Sequence, residues 1–161
     1  MLLAFHVTLA LGVTILLGVQ SVRLAQYRAG LGDDAGTLAR LIIAVPVLTL
    51  VVVVTGGMLL GAGSPGGPWV AAGAVSSLVL IASAVWTLLV VRSRRPLDAA
   101  RQARIAATQW GAPAFTLAAT FLMAARPDGV IAIVPPLVAL LVTGWAYVMG
   151  ARGGVPAARQ G

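Results

Sequence analysis

The chain has no cysteine, no lysine and no glutamate. Without cysteine, disulfides, iron–sulfur clusters and thiol catalysis are excluded. Its acids are four aspartates, Asp33, Asp34, Asp98 and Asp128, and none lies inside a long apolar stretch. With a single histidine, His6, no Ser-His-acid or metal–carboxylate set can be assembled. Charged residues make up only 9% of the chain and mean hydropathy is +1.00, whereas soluble domains are about a quarter charged. An all-arginine basic complement among abundant Ala, Gly and Val reads as the codon bias of a GC-rich bacterial genome.

What is present is apolar and segmented. Five stretches, 2–22, 41–60, 69–91, 105–125 and 130–149, approach the roughly 20 residues a spanning helix needs. The expected fold is therefore all-α, a polytopic transmembrane helical bundle of five spans. Residues 1–152 would form one domain, with 153–161 a short disordered cytoplasmic tail. The start lacks the basic n-region of a secretory signal, so the first stretch is read as a retained span. The fourth stretch is the weakest, diluted by Thr108, Gln109, Gly111 and Pro113. Pro96 and Asp98 suit a helix start upstream of it. The fifth contains Pro135-Pro136, so Val134 could be extended with the helix starting at Pro135. The favoured reading is instead one kinked, complete helix.

Ten of the eleven arginines fall in alternate gaps. Arg23, Arg28 and Arg40 follow the first stretch; Arg92, Arg94, Arg95, Arg101 and Arg104 follow the third; Arg152 and Arg159 lie in the tail. Only Arg126 lies on the other side. The positive-inside rule then places the N-terminus outside and the C-terminus in the cytoplasm of a bacterial inner membrane. Arginines flanking apolar stretches meet lipid headgroups, so the net charge of +7 does not point to nucleic acid. Trp69 is expected as an interfacial anchor.

An ionisable group within a span is a functional candidate, and the only one is His6. Its ordinary reading is a shallow polar residue bonded to water, a carbonyl or a neighbouring threonine. The alternative follows from topology. His6, Met58 and Met123 would share the outer leaflet with Met1, and imidazole with thioethers suits Cu(I). Methionine is also a common apolar filler. Haem would need a second His6 from a dimer, or a His6–Met pair. Gly57-x-x-x-Gly61, Gly73-x-x-x-Ser77 and Ala114-x-x-x-Ala118 have the spacing of close helix packing, read mainly as contacts within the chain.

Two segments also carry a resemblance. The first span opens Leu2-Leu3-Ala4-Phe5-His6-Val7, and a later one closes Met123-Ala124-Ala125-Arg126-Pro127. This resembles a family of predicted bacterial integral membrane proteins of unknown function, distantly similar to the membrane domain of copper-resistance D proteins. Thr55-Gly56-Gly57 resembles that family's threonine–glycine pattern. The likeness covers 2–127, with 130–149 as an additional span. Arg126 stands where the family has lysine, and the family's Trp-Val-Gly-Gly after the histidine is absent. The resemblance implies a link to periplasmic copper through His6 and Met123 and singles out Arg126 and Pro127.

The leading functional expectation is a non-enzymatic membrane protein, an accessory or assembly component of an inner-membrane complex. Its partners would be the lipid bilayer and other membrane subunits, or further copies of the chain meeting at small-residue faces. The alternative is copper binding or transfer at His6, Met58 and Met123. A third is a small-solute channel or carrier using the serines of the third stretch.

Overall fold

The computed structural model describes residues 1–31, 35–93 and 98–152. Among these the chain is helical throughout its long elements. In order they are α1 (Leu2–Arg28), α2 (Ala35–Gly61), α3 (Pro68–Arg92), α4 (Ala99–Ala125), a 3-10 turn (Gly129–Ile133) and α5 (Val134–Arg152). The proposed tail, 153–161, lies outside the described residues, as do Arg94, Arg95 and Pro96.

Three helices outrun their apolar stretches, α1 by six residues at its end and α2 and α4 by six at their starts. At 1.5 Å per residue, 27 residues reach about 40 Å, the thickness of a bilayer with its headgroup regions. Arginine permits the extension, because its long stem runs along an apolar helix while the guanidinium stays wet. Asp98 caps α4, accepting from the Arg101 backbone N–H at 2.8 Å, as its place before the helix suggested.

Val134 is α-helical (φ −59°, ψ −49°), not extended. The chain tightens into 3-10 geometry one turn earlier and then continues as α-helix through Pro135 and Pro136 in the first turn of α5, where their missing N–H groups cost nothing. Turn and helix together form a 24-residue apolar unit.

The helices form a closed ring in which α1 packs on α2, α2 on α3, α3 on α4 and α4 back on α1; α5 packs outside the ring, on α4. One core cluster joins Val13, Leu17, Val45, Leu80, Phe115 and Ala139, and a second joins Leu24, Ile42, Ala84, Val91 and Ile105. Among the described residues, four units are long and apolar enough to cross a membrane: α1, Gly36–Gly61 of α2, α3, and the 3-10 turn with α5. The exception is α4, the central helix, with eleven buried residues.

Polar groups tie α4 to its neighbours. Pro113 lacks the N–H that would bond the Gln109 carbonyl four residues back. Ser21 of α1 supplies the missing donor, its hydroxyl 2.9 Å from that oxygen. Two helical turns further along α1, Arg28 donates to the side-chain carbonyls of Gln102 (3.1 Å) and Gln109 (3.0 Å). Thr87 and Thr108 share a 2.6 Å hydrogen bond between α3 and α4. Each polar residue that lowers the hydropathy of the fourth stretch thus has a partner on another helix or in its own.

Candidate functional site

His6 lies on the buried stripe of α1, with Val13, Leu17, Gln20 and Leu24. Its Nδ1 is 2.8 Å from the Thr55 hydroxyl on α2. That hydroxyl has one proton, directed at the carbonyls of Val51 (2.9 Å) and Val52 (3.0 Å) one turn back. With that proton on a carbonyl, Thr55 accepts from Nδ1–H, the tautomer that leaves the lone pair on Nε2. The described residues give Nε2 no hydrogen-bond partner.

Gly56 completes the seat. A Cβ built there would lie 3.3 Å from His6 Cε1 and 4.0 Å from both ring nitrogens, so the Cε1 corner of the imidazole comes close to the α2 backbone where a side chain would crowd it. Threonine orients the ring and glycine admits it. The Thr55-Gly56 pair noted through the resemblance has this geometry, which two segments 49 residues apart in sequence could not disclose.

The two methionines are placed differently. Met58 is one turn beyond Thr55 but 58% exposed, on the outside of the bundle. Met123 is half-buried against the first core cluster. It lines a small cavity of about 30 Å³ with Ala10, Val52, Thr49, Ser77 and Thr116. Ala10 and Val52 lie about one turn along their helices from His6 and Thr55, so Met123 sits one layer away from the histidine ring. The structure joins His6 to Thr55 and Gly56 and brings Met123 to the adjoining layer, while Met58 points away. Among the described residues no cluster of three His, Cys, Asp or Glu side chains exists.

The cavity is large enough for about one water molecule. The Thr49 hydroxyl beside it is buried without a partner among the described residues. Ser76, Ser77 and Ser83 of α3 all return their hydroxyl protons to carbonyls of their own helix.

Arg126 and Pro127 form the stop of α4. Arg126 takes the left-handed conformation (φ 46°, ψ 51°), and its N–H bonds the Leu122 carbonyl at 3.0 Å; Pro127 then prevents continuation. The Arg126 guanidinium lies 5.7 Å from the centroid of the Trp69 ring on α3. At the opposite end of the same helix pair, Arg104 lies 5.3 Å from Trp86. The two arginines are about 33 Å apart along α4 at 1.5 Å per residue, close to the thickness of a hydrocarbon core.

The small-residue motifs divide. Gly73, Ser77 and Ala118 are buried. Gly57 and Gly61, expected mainly to pack within the chain, instead face outwards, and a Cβ on either would meet nothing within 4 Å. The tightest helix contact was not anticipated. A Cβ on Gly150 would lie 2.6 Å from Ala106 Cβ and 2.9 Å from Ala103 Cα, and one on Gly111 would collide with Thr143. The signal was a small-residue stripe at helical spacing, Ala139, Thr143, Ala146 and Gly150.

No family model, curated protein or solved structure matches the chain. Its chemistry therefore rests on the geometry described above: one oriented imidazole, two arginine–tryptophan pairs and an outward glycine pair on an apolar bundle.

Proposed function

We propose that this chain is a non-enzymatic integral membrane protein that works as an accessory or assembly component of a bacterial inner-membrane complex. It crosses the bilayer five times, with the N-terminus outside and the C-terminus in the cytoplasm. The observation that carries the partner reading is the outward placement of Gly57 and Gly61 on the apolar face of α2. Without side chains to hold a neighbour off, that face permits a second helix to approach closely.

The arginine distribution supports the orientation. Support for α4 as a fifth span comes from the Arg–Trp pairs at its two ends, since tryptophan and snorkelling arginine favour the interfaces. The natural lack of cysteine makes the topology directly testable. Single cysteines at Ser64 and Asp128 should react with an impermeant maleimide added outside intact cells, and one at Ser93 only after permeabilisation. Labelling of Asp128→Cys only after permeabilisation would remove the fifth span. For the partner, gentle extraction followed by native electrophoresis should give a complex that Gly57→Leu with Gly61→Leu dissociates. A wild-type chain that runs as a lone monomer overturns the assembly reading.

A second reading is favoured by the His6 seat. With Nδ1 committed to Thr55, the Nε2 lone pair is in the tautomer that binds a metal, and Met123 supplies a thioether in the adjoining layer. Copper would be held by His6 and Met123, with Met58 joining only by turning inwards. Purified protein loaded with Cu(I) should retain metal that His6→Ala loses; equal, low copper in both rejects this reading.

A further inference from the structure

Both α3 and α5 pack on α4, while α3 approaches the fifth segment chiefly at its 3-10 turn. They leave an open groove of about 190 Å³ above α4. Val79 and Trp86 form one wall, Tyr147 the other, and Gly111 and Phe115 the floor, with Arg104 at the end. From Arg104 to Phe115 the groove runs about 16 Å at 1.5 Å per residue, which is the depth of one leaflet of a core about 30 Å thick.

Its chemistry is graded along that length. The deep part is apolar. At the mouth, Arg104 is exposed and held over Trp86. It has no carboxylate partner: among the described residues the only ion pair joins Arg101 to Asp98. The ring steadies the guanidinium by its π face and leaves the N–H donors unspent. Tyr147 offers a phenolic hydroxyl with no hydrogen bond among the described residues. The Ser83 and Thr143 hydroxyls already donate to carbonyls of their own helices, so they keep the middle of the groove free of competing donors.

We infer that this groove holds one anionic phospholipid, its acyl chain lying along α4 and its phosphate bridged by the Arg104 guanidinium. A planar guanidinium matches two phosphate oxygens, and basic sites between membrane helices at the headgroup level select anionic lipids. A zwitterionic lipid fits the apolar part equally well but brings no net negative charge to Arg104. Selectivity therefore resides at the mouth, and occupancy depends on the groove.

The test is the lipid retained by the full chain after reconstitution in nanodiscs of one part phosphatidylglycerol to four parts phosphatidylethanolamine, then detergent extraction and native mass spectrometry. Wild type should carry one phosphatidylglycerol per chain. Arg104→Gln should lower the retained phosphatidylglycerol-to-phosphatidylethanolamine ratio about fivefold. Ala107→Phe, which fills the groove, should lose both lipids while remaining monodisperse. Arg92→Gln removes an exposed arginine at the same end of the bundle but outside the groove, and should match wild type. A wild-type ratio in Arg104→Gln, an equal loss in Arg92→Gln, or full lipid retention in Ala107→Phe overturns the inference.

Discussion

Helices α4 and α5 lie side by side and obey opposite rules. α5 is apolar enough to cross a membrane by composition, yet only Ala139, Ala146 and Gly150 are buried. α4 fails that criterion, carries Arg101, Arg104, Gln102, Gln109 and Thr108, and buries eleven residues. In water the more apolar helix would be inside. In lipid there is little to gain by hiding leucine, because the tails are as apolar as the side chain. Large apolar residues therefore turn outwards, as Leu137, Leu140 and Leu141 do. Small and hydroxylated residues turn inwards, where backbones close up and polar groups find partners. Hydropathy then reports how much lipid a helix meets.

Substitutions that reverse these roles should break the contrast in a graded way, read by thermal unfolding in mild detergent. Leu122→Ala in α4, fully buried, should have the largest effect, a loss of roughly 2–5 kcal/mol from the cavity it leaves. Gly150→Leu should follow at roughly 1–3 kcal/mol, because the new side chain meets Ala106 and the α4 backbone. It should also free α5 to proteolysis while the four-helix ring stays intact. Ser21→Ala removes the donor to the carbonyl that Pro113 leaves open, and should cost about 1–2 kcal/mol; with Pro113→Ala added, most of that loss should vanish. Leu141→Ala, 73% exposed on α5, should change stability by less than about 0.5 kcal/mol. A Leu141 effect as large as that of Leu122 would end the comparison.

The candidate site was partly legible. His6 stood out as the one ionisable group within a span, and Thr55-Gly56 was flagged by resemblance alone. Its seat needed α1 and α2 to be set antiparallel and in register, which no local pattern encodes. Met58 and Met123 shared a level by topology, but level is not direction. Met58, about 60° round the helix from Thr55, falls on the outer side of the bundle edge and is 58% exposed. The α4–α5 contact is written in the small-residue spacing of Ala139, Thr143, Ala146 and Gly150, which lacks the paired glycines of α2.

By itself, the sequence determined the solvent and the segments: a chain this apolar, with arginines at its gaps, must satisfy its backbone by helices. It also determined that any buried chemistry would centre on His6. Only tertiary structure decided that the least apolar helix is the central one, that Ser21 completes the helix Pro113 interrupts, and that Arg104 closes a leaflet-deep groove. The physical reason is that composition is summed over a helix, whereas packing depends on which side of it each residue faces.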